Sequence, residues 1–174
     1  LKVPIIHVEA GLRSYDLRMP EEYNRRVTDH LSSLLLAPTR NNAKTLREEH
    51  VPGKIHVTGN TVFDACLRNL PIAQRKSTIL QSQDLEKDSY ALATIHRAEN
   101  VDNPKTLSNF IEIFERSPLP AILPLHPRTV RDCKRFGLWH HIIYSTNIGV
   151  IEPVGYWDFL VLMANCGFII RPRA

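Results

Sequence analysis

Glu9 ends an apolar run, residues 3–8, that reads as a short buried strand, and Gly11 just beyond lets the backbone turn sharply. In open parallel sheets, ligands sit beyond the carboxyl ends of the strands, where Glu9 would stand. A carboxylate there needs a partner or a task, because burying it unpaired is costly or shifts its pKa. Either Arg13 pairs with it or it does acid–base work. Glu21 falls in the first turn of the following helix, behind Pro20, where an acidic side chain also serves the helix dipole.

Three more strand ends deliver ionisable groups. A strand over 90–95 leads into His96-Arg-Ala-Glu-Asn100, one over 121–125 into His126-Pro-Arg128, and one over 142–144 towards Glu152-Pro-Val-Gly-Tyr156. One such histidine would be a hydrogen-bonded loop residue. Two with adjacent arginines, on the same edge as a carboxylate, point to an anion-binding catalytic cleft between two α/β units. His7, Glu9, His96 and His126 are metal-ligand types, but no pair has a spacing such as His-Glu-x-x-His, so no metal is expected. There is no Gly-x-Ser-x-Gly turn, no Gly-x-Gly-x-x-Gly and no P-loop among the seven glycines, which argues against a serine hydrolase or a dinucleotide oxidoreductase.

The elements that must position these groups alternate. Residues 20–35 predict a helix whose apolar face carries Tyr23, Val27, Leu31 and Leu34, although 34–37 can instead begin a strand closed by Pro38. Thr39 is a plausible cap for a helix to about residue 49 with Ala43 and Leu46 inward; a strand over 55–57 and a helix over 61–69 follow. The polar stretch 71–88 reads as a linker or crossover. Beyond it come helices over 104–115, 129–136 and 156–165 and a last strand over 168–170. The expected organisation is α/β: two partial Rossmann-like parallel units, residues 1–70 and 89–174, joined by 71–88.

Composition narrows the class. With 43% hydrophobic residues the chain can bury a core, and no apolar run is long enough to span a bilayer. No signal peptide is visible at its start. Three widely spaced cysteines, Cys66, Cys133 and Cys166, suit reduced thiols in a cytoplasmic protein. The net charge of +4 is compatible with nucleic acid, but it is dispersed among acidic residues and suits an anionic small ligand equally well, so composition alone does not choose.

As strings, these stretches say more. His7-Val-Glu-Ala-Gly-Leu-Arg13 with Pro20-Glu-Glu-Tyr-Asn-Arg25 resembles the non-hydrolysing UDP-N-acetylglucosamine 2-epimerases, which have a two-domain glycosyltransferase-B fold. Thr94-Ile-His-Arg-Ala-Glu-Asn100 resembles that family's catalytic-histidine motif, and Pro124-Leu-His-Pro-Arg128 its neighbouring histidine loop. Glu152-Pro-Val-Gly-Tyr-Trp-Asp-Phe159 resembles its uracil-holding segment. The resemblance runs from about Lys2 to Ile169.

It implies an isomerase that interconverts UDP-N-acetylglucosamine and UDP-N-acetylmannosamine by eliminating UDP, reprotonating a 2-acetamidoglucal and adding UDP back. Glu9, Glu21 and His96 would be catalytic; Arg97, His126, Val154, Phe159 and Arg13 would face the substrate. No metal, nicotinamide or other cofactor is implied. The partner is the nucleotide sugar, with a homodimer or a complementing polypeptide as the assembly and no nucleic acid or membrane. Family members are about twice as long. The segment before Glu9, with a further catalytic aspartate, lies outside the match, and Ile170-Arg-Pro-Arg-Ala174 replaces a diphosphate-gripping loop. A truncated or frame-shifted product or a deliberate fragment is therefore expected, and a catalytically inactive fragment is the alternative function.

Overall fold

A computed structural model describes residues 3–95 and 98–172, the side chains of 98 and 99 excepted. The chain divides into two compact units, Leu1–Leu67 and Arg68–Ala174. In the first, β1 (Ile6–Val8), α1 (Pro20–Leu31), β2 (Leu34–Ala37), α2 (Arg40–Glu48) and β3 (Lys54–Val57) precede α3 (Thr61–Lys76), which crosses the boundary. The second unit holds α4 (Ile79–Ser82), β4 (Ala91–Ala93), α5 (Ala98–Val101), α6 (Pro104–Glu115), β5 (Ala121–Pro124) and α7 (Pro127–Arg135). It continues through α8 (Trp139–Tyr144), β6 (Ile148–Ile151), α9 (Tyr156–Asn165) and β7 (Phe168–Ile170).

Both sheets are parallel, ordered β1-β2-β3 and β6-β5-β4-β7. The carboxyl ends of the strands within each unit therefore share one edge, as the alternation of strands and helices predicts. Local chemistry sets the helix starts. The Thr39 hydroxyl accepts from the Asn42 N–H at 3.2 Å, and Asn103 caps α6 behind Pro104. Helices α6 and α9 have the predicted bounds, and Leu107, Ile111 and Phe114 are buried as their spacing requires.

Three stretches differ from expectation for identifiable reasons. Residues 71–88, expected as a linker or crossover, carry the end of α3, which runs through Pro71 to Lys76, and then α4. Burial of Ala73 and docking on α9, where the Ser77 hydroxyl donates to Asp158 at 2.5 Å and Lys76 lies over the Trp157 ring, hold this polar stretch helical. Residues 142–144 belong to a helix, not a strand; Ile142 is buried while Ile143 and Tyr144 are exposed, and the strand is the Gly-interrupted run of β6. Helix α1 is turned the other way: Tyr23, Val27 and Leu31 are 53%, 57% and 55% exposed, and its buried residues are Glu22 and Asp29.

The two cores differ in kind. In the first unit it consists of Ala10, Leu35, Ala37, Ala43, Leu46 and Val51 with Ile55 packed against it, half of the buried set being alanine. The second is built from Leu107, Ile111, Phe114, Leu123, Leu125, Ile142 and neighbours. Less apolar surface is buried per residue in the first, so it should open more readily. Amides of β2 and β3 are expected to exchange with solvent at least about tenfold faster than those of β4 and β5. Equal protection in the two sheets would contradict this.

Candidate active site

Glu9 sits one residue beyond β1, half-buried, with φ 64°. A left-handed conformation in a residue with a Cβ costs about 1–3 kcal/mol and persists only where its surroundings impose it. They do so here on both sides. The Ala10 N–H donates to the Leu36 carbonyl at 3.0 Å, which seats Ala10 in the core. Gly11 has φ 80°, and a Cβ on it would lie 2.5 Å from the Asn42 carbonyl oxygen. The Thr61 hydroxyl donates to the Glu9 carboxylate at 2.5 Å, from the first residue of α3. The side chain of Asn60 caps that helix, accepting from the N–H groups of Val62 and Phe63.

Arg13 does not pair with Glu9. Its guanidinium, 1% exposed, reaches Asp29 at 2.7 Å and Glu49 at 2.6 Å, and donates to the Leu12 carbonyl. An arginine so enclosed and so engaged ties α1 to the carboxyl end of α2. Burial opposes its charge, but the hydrogen bonds to Glu49 and Asp29 outweigh burial and raise its pKa. The fully buried Asp29 also accepts from His7 Nδ1 at 2.6 Å and from the Gly11 N–H at 3.3 Å.

Glu21 is exposed in the first turn of α1, as predicted. Its neighbour Glu22 is buried and accepts from the Ser14 N–H at 2.9 Å, the Ser14 hydroxyl at 3.0 Å and Arg26 Nε at 3.1 Å. Burial would raise the Glu22 pKa, yet these donors hold it below the usual carboxylate range; the Arg13 hydrogen bond does the same for Glu49. A folded pKa below the unfolded one gives stability that is present above about pH 4.3 and lost as pH falls through the folded value. Acid should therefore loosen the first unit as pH drops below about 4, while Glu22→Gln is less stable at pH 7 but loses less on acidification. Thermal melts followed from pH 6 to 3 check this; parallel pH curves for variant and wild type would contradict it.

In the second unit the segments that follow β4, β5 and β6 are placed as follows. The buried Thr129 hydroxyl donates to the Ile95 carbonyl at 2.7 Å, tying α7 to the residue just before His96. His96 and Arg97 themselves lie outside the described residues. His126 caps α7, its Nδ1 accepting the Arg128 N–H at 3.2 Å. That fixes the hydrogen on Nε2 in the neutral ring and leaves an exposed donor suited to an anion. Arg128 is held by Asp102, at 2.7 Å from each carboxylate oxygen. Val154 and Phe159 are half-buried, one before and one inside α9, whose amino end has no side-chain cap. Among the described residues no three His, Cys, Asp or Glu side chains gather as a metal site would require.

Residues 1–171 match the family model described as UDP-N-acetylglucosamine 2-epimerase. The chain belongs to that family. It is 45% identical over 179 residues to the UDP-N-acetylglucosamine 2-epimerase of Methanocaldococcus jannaschii, a match covering 98% of this chain and 48% of the relative. It is 39% identical to the UDP-2,3-diacetamido-2,3-dideoxy-D-glucuronate 2-epimerase of Pseudomonas aeruginosa, covering 98% of this chain and 47% of that protein. The M. jannaschii enzyme solved in complex with UDP-GlcNAc and UDP superposes with a TM-score of 0.84 at 44% identity, over 99% of this chain and 49% of that one. The chain thus spans about half the length of the curated relatives it matches. Its α/β architecture of two parallel sheets is that of the glycosyltransferase-B-like epimerases.

Several residues of this epimerase-family chain escaped sequence reasoning. Glu22 and Asp29 are seven residues apart and so share a helix face, a spacing open to notice, but the apolar stripe of Tyr23, Val27 and Leu31 is the stronger pattern. Thr61 and Glu49 carry no local signal. Glu49 meets Arg13 across 36 residues of chain, and Thr61 meets Glu9 across 52.

Proposed function

We propose that the chain is the central part of a UDP-N-acetylglucosamine 2-epimerase, interconverting UDP-N-acetylglucosamine and UDP-N-acetylmannosamine by elimination and re-addition of UDP. The observation that carries the reading is Glu9, aimed from the end of a parallel strand by a left-handed backbone and held by Thr61. It belongs to a family in which the M. jannaschii relative has been solved with UDP-GlcNAc and UDP.

Removing the C2 proton and returning it on the other face needs acid–base groups, and Glu9 and Glu21 supply two carboxylates in different settings. Glu9 is half-buried and hydrogen-bonded; Glu21 is exposed. His96 would assist departure of UDP, with Arg97 and the Nε2 donor of His126 on its phosphates. Val154 and Phe159 would hold the base. The scheme calls on no metal or nicotinamide, and its nucleotide-sugar substrate fits a cytoplasmic setting. A homodimer, or a polypeptide supplying the rest of the relatives' length, would complete the assembly.

A second reading, a catalytically silent piece with weak nucleotide-sugar binding, is favoured by one observation: the chain covers 48% of its relatives. NMR of the purified chain with UDP-N-acetylglucosamine, alone and with the remaining segments supplied, separates the two. Formation of the 2-epimer in either form supports the enzyme; its absence from both leaves the silent piece.

A further inference from the structure

We propose that Asp29 is a positioning residue for Glu9, acting through a buried strap that fixes the 7–13 segment at both ends. It rests on the reading of Glu9 as an acid–base group. The carboxylate of Asp29, fully buried on α1, collects three groups from this one segment: His7 Nδ1 at 2.6 Å, the Gly11 N–H at 3.3 Å and the Arg13 guanidinium at 2.7 Å. His7 lies two residues before Glu9, and Gly11 two residues after it. The same carboxylate thereby pins the chain on either side of the reacting group. The Asn42 side chain takes the Gly11 carbonyl at 3.1 Å, so the peptide groups flanking that glycine are held from α1 and from α2.

Arg13 closes the device, because its guanidinium spans Asp29 and Glu49 and so links α1 to the carboxyl end of α2. A planar fork with several donors can make both contacts at once, which a lysine ammonium on a flexible stem does less well. Seven residues before Asp29 on the same helix face, Glu22 repeats the arrangement on Ser14, the next residue along. Burying two carboxylates and an arginine is a poor way to stabilise a small unit, since well-packed apolar residues do as well or better. It is a good way to specify one backbone path. Glu9, with no glycine's freedom of its own, holds φ 64° at the centre of that path.

The test is Asp29→Asn, which keeps the shape and an acceptor but removes the charge opposite Arg13, beside Glu112→Gln on the exposed face of α6 as control. In the chain itself, Asp29→Asn should speed exchange of the Gly11 amide about tenfold relative to the Leu35 amide, and should displace the titration of the Glu9 carboxyl carbon followed by NMR. In the assembled enzyme it should lower kcat roughly tenfold to a hundredfold with KM unchanged, as a small misplacement of a reacting group does. Glu112→Gln should change none of these. If Asp29→Asn lowers overall stability but leaves Gly11 exchange and Glu9 titration as in wild type, Asp29 is merely structural and the proposal falls. If Asp29→Asn does not fold, Arg13→Lys is read in its place, and an unmoved Glu9 titration there overturns the proposal equally. If the assembled wild type makes no epimer, the functional reading fails separately, and the two NMR readings still decide whether the strap holds Glu9.

Discussion

Glu9→Gln is expected to cut epimerisation by the assembled protein roughly a hundredfold or more, the usual loss when an acid–base group is removed. Glutamine matches the shape of glutamate and still offers an oxygen to the Thr61 hydroxyl, so the contact at the head of α3 survives. Its backbone demand at φ 64° is unchanged as well. Folding should therefore be close to wild type, and the loss should fall on kcat. Circular dichroism melts with steady-state kinetics on the same preparations make the comparison. A variant that unfolds yet shows full activity per folded molecule would mean that Glu9 is structural.

Arg13→Met should destabilise the first unit by about 3–5 kcal/mol, the penalty for leaving a buried charge without its partner. Asp29 is then left buried with only His7 and the Gly11 N–H, and Glu49 loses the donor that depresses its pKa. Methionine fills a similar volume, so the loss reports on charge rather than on a cavity. A double-mutant cycle with Asp29→Asn isolates the pair, because the second substitution should restore part of the stability. Denaturant melts of wild type, both single variants and the double variant decide it. Additive losses would show that Arg13 and Asp29 do not act as a pair.

What could be read from the residues alone followed from locality. The Pro-initiated helix of α6 and the cap at Thr39 are each specified within a few neighbours, and the structure has them; the apolar run before Glu9 is a strand only over Ile6–Val8, and Val3, Ile6 and Val8 are exposed rather than buried. The strand ends leading to His126 and Glu152 follow in the same way, though β6 lies later than its apolar neighbourhood suggested, because an Ile-Ile-Tyr run looks like a strand until one side of it is buried in a helix. Partners set by tertiary contact were not legible. Arg13 had an acid four residues before it, yet the structure gives it to Asp29 and Glu49. Helix α1 misled because apolar spacing predicts burial only when something covers that face. Among the described residues Tyr23, Val27 and Leu31 remain exposed.

Incorporation of solvent deuterium at C2 tests the central claim most directly. The chain, assembled with the segments its relatives carry beyond it, is incubated with UDP-N-acetylglucosamine in D2O, and the C2 position of both epimers is followed by proton NMR. Protonation of a glucal by an enzyme acid in exchange with solvent predicts deuterium at C2 of the UDP-N-acetylmannosamine formed, abolished in step with turnover by Glu9→Gln. Product that keeps its original hydrogen at C2, or turnover unaffected by Glu9→Gln, would contradict it.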